Sequence, residues 1–471
     1  MPDEPIASSV AAWPATRLAD AIRARRISSV ELLDLYLERI DRLGDKVNAV
    51  VTLDPERARA AARAADAATA RGEAAGALHG LPITVKDAIA TAGIRSTGGA
   101  VELRDHVPDR DAPAVARFKG AGAIVFGKTN LPRWSGDLQT YNELFGTTTN
   151  PWDPDRVPGG SSGGAAAAVA CGFTSFEIGT DIGGSVRFPA HCCGVFGLKP
   201  SYGVVPQRGY LDHVGGGTTD ADINVFGPIA RSAEDLDLLL GVLAGPEAER
   251  APAWRLELPA PRRRSLDGLR VGVWFEDDGA RVARGYLDVL RGAADALAEA
   301  GADVEEAHPA VDFGEQVLLF LQLVGAAVSV SAGDGEEAEA LAGSHRRWLA
   351  LQEERAAVGA RWARWFESYD ILLCPVSLGP AIPHLQEGTF MSRTIEIDGG
   401  SRPYAELISW TGLVGVVGLP SAVPPIGRTA EGLPVGVQVV APFLRDREAV
   451  QVAGALAALT GGYEPPPGFG L

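Results

Sequence analysis

The sequence predicts an α/β protein with a helical N-terminal arm, and three observations carry that prediction. Residues 16 to 72 are helical in pattern. "GLRVGVWF" followed by "ARGYLDVLRGAADALAEAGADVEEA" is a short strand and then a long amphipathic helix, the repeating unit of an α/β sheet. "YDILLCPV" and "GLPVGVQVVAP" are nearly continuous apolar runs of strand length, as expected of strands covered on both faces.

Taken in order, "TRLADAIRARRISSVELLDLYLERIDRL" spaces its apolar residues by three and four, with Ser28 or Ser29 as a helix cap. "DPERARAAARAADAATARG" is a second helix with a solvated arginine face. From Gly80 the character changes. "LPITVKDAI" and "GAIVFGKTN" read as strands, and "TSFEIGTDIGGSVRFPA" as a strand entering a glycine turn. Residues 251–265, "APAWRLELPAPRRRS", form a surface loop or hinge. Val317 to Val330 is too short to span a bilayer and is expected to be a buried helix. No low-complexity linker divides the chain, so one domain covering 1–471 is expected.

Composition removes several function classes. The 471 residues are 46% hydrophobic and 22% charged, which is ordinary globular composition. A formal charge of −17 argues against nucleic-acid binding and against an anionic membrane surface. The beginning "MPDEPIASSVAAWP" has no apolar signal region, so a soluble, cytoplasmic protein is expected. Cys171, Cys192, Cys193 and Cys374 show no metal-ligand spacing and read as small buried hydrophobes. The seven histidines include no HExxH, so a zinc hydrolase is not expected. Of 43 basic residues only Lys46, Lys86, Lys119, Lys128 and Lys199 are lysine. Where charge alone is wanted this chain uses arginine, and only lysine can lose its proton near neutral pH.

Three motifs compete for the chemistry. Gly122 to Thr129, "GAIVFGKT", satisfies the Walker A pattern, but Ala-Ile-Val-Phe favours a strand over a loop curled around phosphate. "GGSSG" satisfies the nucleophile-elbow pattern around Ser161, with His308, His345 or His384 as the base, none in an informative context. The third reading joins Lys86 in "GLPITVKDAI", Ser161 in "PGGSSGG" and Ser185 in "GTDIGGSVRFPA".

On those three segments the chain resembles the amidase signature family. Ser185 lies 24 residues beyond Ser161, which is the family's spacing. The flanks "NPWDPDRVPGGSSGG", "GVFGLKPSYGVVP", "FGPIARSAEDLDLLL" and "GLPSAVPPIG…GLPVGVQVVAP" extend the resemblance from about residue 16 to 460. It implies a large mixed central β-sheet flanked by helices, with residues 1–75 as the arm, 76–235 as the core carrying the site, and 236–471 as the remainder of the body and the substrate-side loops.

The resemblance also implies residue roles. Ser185 is the nucleophile, Ser161 the proton relay and Lys86 the ultimate base of an amidase that works through an acyl-enzyme. Ser161 follows a cis peptide bond after Gly160, and Ser162 supports Lys86. The oxyanion donors are the backbone N–H groups of Ile182, Gly183, Gly184 and Ser185. Asp181 and Arg187 are expected to brace that turn as an ion pair. Lysine serves as base only when neutral, so Lys86 must be buried away from carboxylates, and Asp87 is expected to face away from its amine. Lys128 and Lys199 lie in family-like segments and read as structural.

No metal or organic cofactor is required, and the partner is a small amide, with a homodimer open. Trp134, Tyr141, Phe145 and Trp152 occupy the region that lines the acyl pocket in such enzymes. They suggest an aryl or apolar acyl group, or else are core. "PRWSGDLQTYNELFG" departs from the "MGSSTENS" pattern of the glutaminyl-tRNA amidotransferases, which argues against transamidation. The expected absence of a membrane segment argues against a membrane-bound fatty-acid-amide hydrolase. An esterase or acyl transferase on the same residues remains open, as does a non-catalytic binding protein on this scaffold.

Overall fold

The computed structural model describes residues 8–263 and 265–470. Sixteen strands occur among them. The first three are β1 (Val50–Leu53), β2 (Pro82–Lys86) and β3 (Ile124–Thr129). The pairs β4 (Tyr141–Asn142) with β5 (Gly146–Thr147) and β12 (Thr394–Ile397) with β13 (Gly400–Pro403) form small separate hairpins. The others are β6 (Glu177–Asp181), β7 (Phe196–Lys199), β8 (Val225–Ala230), β9 (Arg270–Val273), β10 (Asp303–Glu306), β11 (Ile371–Pro375), β14 (Ser421–Val423), β15 (Pro425–Arg428) and β16 (Pro434–Val440).

Nine strands build one mixed sheet in the order β10-β9-β11-β16-β14-β7-β8-β6, with β15 added beside β16. The β10/β9 and β11/β9 pairs are parallel and the rest are antiparallel. A second sheet has the order β1-β3-β2. Its edge strand β2 runs alongside β6, the edge of the large sheet. Side chains and turns stitch the seam, since Thr84 N–H donates to Thr174 Oγ1 at 3.0 Å and Ser175 N–H to the Pro82 carbonyl at 3.3 Å. Every residue of β2, β3, β6, β7, β8, β11 and β16 is buried, and for β11 and β16 this is why the segments read as nearly continuous apolar runs.

The N-terminal helices are Ala15–Arg23, Ser29–Leu43 and Pro55–Arg71. Ser28 caps the second in a full capping box with Glu31. They are fastened to the body, with Asp235 accepting the N–H groups of Ala15 and Thr16 at 2.8 Å each. Buried Arg39 reaches the carbonyls of Gly172, Cys171 and Phe469.

Two expectations need correction. The helical reading of residues 16 to 72 missed β1, whose short "VVTL" run becomes a strand by pairing antiparallel with β3. The apolar stretch expected to be a buried helix is the helix Phe313–Val328 and a following turn of 3-10 helix. By length and composition Phe313–Ala332 could cross a membrane, and in its most apolar 18-residue window the mean hydropathy is 1.6 and 28% of the residues are buried. One face packs, through Gln316 and Phe320, while Leu318 and Val330 are more than half exposed. Two other readings agree with the structure. The Walker A match spans β3, a fully buried strand that cannot curl around phosphate. Residues 251–263 are turns and coil, mostly exposed, as a surface loop requires.

Candidate active site

Lys86 is the last residue of β2 and is wholly buried. Its Nζ contacts three hydroxyls: Ser161 Oγ at 2.7 Å, Thr180 Oγ1 at 2.8 Å and Ser162 Oγ at 3.0 Å. No carboxylate is among them. Burial pulls its pKa down to about 7, against an upward pull from Asp181 and Glu177. A neutral amine has two N–H donors and one lone pair, so among three hydroxyl contacts one hydroxyl can donate to the nitrogen. Asp87 turns instead to Thr97, accepting its backbone N–H at 3.0 Å and its hydroxyl. The expected orientation of Asp87 is what the strand delivers.

Ser161 follows a cis Gly160–Ser161 peptide. Gly160 is packed so closely that a Cβ would stand 2.5 Å from the Leu138 carbonyl carbon and 2.6 Å from the Gln139 nitrogen. Thr140 ties this wall to the turn, its hydroxyl donating to the Gly159 carbonyl at 2.9 Å and accepting from Gly163 N–H at 3.2 Å. The helix Gly163–Ala170 behind it is entirely buried. Its apolar alanines need that packing, and so the glycine–serine segment is an anchored turn.

Ser185 lies between β6 and the helix Arg187–Cys193 and is 6% exposed. Its carbonyl accepts the Ser162 N–H at 3.2 Å, which joins the two serine turns through the backbone. The turn Ile182–Ser185 is held from beneath. Asp181 accepts Gly184 N–H at 2.8 Å, Val186 N–H at 3.0 Å and two Arg187 nitrogens at 2.8 and 3.0 Å. Both side chains are fully buried. Burial opposes the charge on Asp181, and the Arg187 guanidinium overrides it, leaving a pKa of about 2. Arg187 is itself clamped by Gln438 Oε1 at 2.7 Å and the Thr411 carbonyl at 2.8 Å.

One expected oxyanion donor fails. Gly184, at φ 111°, points its N–H at Asp181, so that group is already committed. The N–H groups of Ile182, Gly183 and Ser185 have no acceptor among the described residues. Thr411 draws the Gly183 carbonyl aside with a 2.8 Å hydrogen bond. Phe320, reaching in from the half-covered helix, and Ile408 pack on Gly183.

The aromatic pocket residues divide. Trp134 is 8% exposed and its ring presses on Gly98, in the loop that follows Lys86. It and Ser135 both carry positive φ, at 52° and 57°. Tyr141 is engaged elsewhere, its hydroxyl bonded to Arg393 at 2.8 Å and to Asp137 at 3.3 Å. Phe145 lies under Arg95, and Trp152 donates to the Cys193 carbonyl. Tyr141 and Phe145 belong to the β4–β5 hairpin and its turn, and among the described residues none of Tyr141, Phe145 and Trp152 hydrogen-bonds to Ser161 or Ser185.

The histidine alternative is not supported. His308 stacks on Trp274, His345 on Trp348, and His384 bonds to the Pro154 carbonyl; none contacts Ser161 or Ser185. Lys128 and Lys199 are buried and donate to backbone carbonyls, of Ile89 for the first and of Leu419 and Pro200 for the second. Among the described residues no group of three His, Cys, Asp or Glu side chains is arranged to hold a metal. Sequence reasoning missed Thr180, Glu177, Thr411 and Gln438. Of these only Thr180 carried a signal, since it sits inside "GTDIGGS".

A family model described as Amidase matches residues 31–342 and 322–450. The chain belongs to the Amidase family. Its relatives within that family include the indoleacetamide hydrolase of Bradyrhizobium diazoefficiens, 33% identical over 94% of this chain and 86% of that one. One component of the glutamyl-tRNA(Gln) amidotransferase of Acaryochloris marina is 31% identical over 93% of this chain and 96% of its own length. Among solved structures, a bacterial aryl acylamidase of the amidase signature family superposes with a TM-score of 0.83 at 26% identity, covering 95% of this chain and 96% of that one. The large mixed sheet flanked by helices is therefore the amidase signature fold.

Proposed function

We propose that this member of the Amidase family hydrolyses a carboxylic amide through an acyl-enzyme on Ser185, with Ser161 as relay and Lys86 as base. The observation that carries the reading is the 2.7 Å contact between a fully buried lysine amine and Ser161 Oγ. An exposed lysine, with a pKa near 10.4, would be a poor base at pH 7.

Ser185 Oγ adds to the amide carbonyl carbon while its proton passes to Ser161 Oγ and the Ser161 proton to Lys86 Nζ. Negative charge on the carbonyl oxygen is met by the N–H groups of Ile182, Gly183 and Ser185. The C–N bond then breaks as Ser161 returns a proton to the leaving nitrogen and recovers one from Lys86. Water adds to the acyl-enzyme by the same relay, and the ester bond to Ser185 breaks to release the carboxylic acid. Ammonia or an amine and one acid leave for each water consumed.

A small aryl or apolar amide is the favoured substrate, supported by Trp134 beside the lysine loop and by the likeness to an indoleacetamide hydrolase and an aryl acylamidase. A panel of amides and esters, assayed for amine release beside Ser185→Ala, tests this. Turnover by the lone chain that Ser185→Ala abolishes supports it; a wild type inactive on every member overturns it. The likeness to a component of an amidotransferase favours a second reading, ammonia supply within a complex. That reading expects turnover only after partner proteins are added.

The pH dependence follows from Lys86. The active form is the neutral amine, so kcat/KM is expected to rise with pH through about 7 and to level off above it. An activity that falls as pH rises from 6 to 8 would place the base elsewhere.

A further inference from the structure

Glu177 is a buried carboxyl group with no part in the mechanism above. It starts β6, is fully buried, and stands in the seam between the two sheets. One oxygen, Oε2, accepts the backbone N–H of Lys86 at 3.1 Å and that of Ile178 at 2.8 Å. The other, Oε1, accepts the Thr129 hydroxyl of β3 at 2.8 Å. Lys86 and Thr129 are register partners on β2 and β3. The side chain thus does for the end of β2 what a neighbouring strand's carbonyl would do, at the residue that carries the amine.

Its electrical surroundings are equally specific. Lys86 faces it from β2 and Lys128 from β3, and both are buried. On its own strand Asp181 is the other carboxylate acting on Lys86, and Arg187 fixes Asp181 in its charged form. Asp87 acts on Lys128. Glu177 is therefore the neighbour of Lys86 whose charge can change near neutral pH, since burial pushes its pKa up to about 7 against the Thr129 hydrogen bond and Lys128. An anionic carboxylate favours the ammonium form of Lys86; a protonated one favours the free amine. The Thr129 hydroxyl can donate to the first form and accept from the second, so the seam holds in both.

We propose that Glu177 is a positioning residue for Lys86: it fastens the lysine's backbone to β6 across the seam, and its carboxyl proton governs how readily the buried amine becomes neutral. The proposal rests on Lys86 being the base, and the experiment separates the two. The pH profile of kcat/KM is measured on an amide for wild type, Lys86→Ala, Glu177→Gln and Thr129→Val. Glutamine keeps an oxygen for the Lys86 and Ile178 N–H groups and offers an N–H to Thr129, while it carries no charge. The acidic limb is expected to move to lower pH by about 0.5 unit or more in Glu177→Gln. Thr129→Val removes the bond that favours the carboxylate and is expected to move it the same way by a smaller amount.

On an amide that wild type turns over, activity retained in Lys86→Ala would sink the base assignment itself. Lys86-dependent activity with the limb unmoved in both seam variants would overturn the role of Glu177 alone. Should Glu177→Gln fail to fold, the Thr129→Val profile decides by the same criterion.

Discussion

Ser185→Ala and Lys86→Ala are each expected to lower amide turnover by about 10⁴-fold or more, and the double variant by little beyond either one. In the proposed mechanism the three groups act as a unit: without Ser185 there is no oxygen to acylate, and without Lys86 the Ser161 proton has no acceptor. Labelling by a fluorophosphonate probe separates the two losses. Ser185→Ala is expected to take up none, whereas Lys86→Ala retains its hydroxyl and reacts slowly.

Lys86 variants carry a second signature, in stability. The folded pKa of about 7 lies below the unfolded value of 10.5. The chain therefore binds a proton on unfolding between those values, so this group makes stability rise with pH across that window and costs most below pH 7. Lys86→Met is expected to melt higher than wild type, with a larger gain at pH 6 than at pH 9. An equal or lower melting temperature at pH 6 would contradict a desolvated amine.

The other large effect is expected at Arg187. Arg187→Met leaves Asp181 buried with its charge uncompensated, and loss of one partner from such a pair costs about 3–5 kcal/mol. Denaturant titration measures this as a lower midpoint at an unchanged slope. Asp181 also holds Gly184 and Val186, so the same variant is expected to loosen the turn that carries Ser185 and to reduce kcat more than it raises KM. Unchanged stability would mean that the ion pair is not what holds the turn. The Asp181 contribution is present at neutral pH and is lost as pH falls through about 2.

What could be read from the sequence depended on how far each interaction reaches. Lys86, Ser161 and Ser185 were singled out by the resemblance to the amidase signature family, and each lies in a locally formed strand end or turn, with Lys86 and Ser161 in contact in the fold. Strands β11 and β16 of the large sheet were legible because burial on both faces leaves an apolar run. The clamp on Arg187 was not, since it comes from Thr411 and Gln438, more than 220 residues away and unremarkable in their own segments. Glu177 was hidden for another reason: in "SFEIGTD" it looks like the polar face of a strand, and only the seam shows that both its faces are inside. The partners of Tyr141 and Phe145, Arg393 with Asp137 and Arg95, were not legible because aromatic character signals burial without saying against what. The helix Phe313–Val328 was misjudged because its composition asks for cover that this fold supplies on one face only.

The four sulfhydryls bring a practical corollary. Cys171, Cys192, Cys193 and Cys374 are unpaired and inaccessible, and desolvation holds each in the poorly nucleophilic thiol form. Native protein should therefore withstand iodoacetamide with undiminished catalysis, and alkylation should begin only once urea opens the interior. A single cysteine engineered onto the outside would then be the sole target for a maleimide dye, giving a clean optical reporter without first stripping the natural thiols.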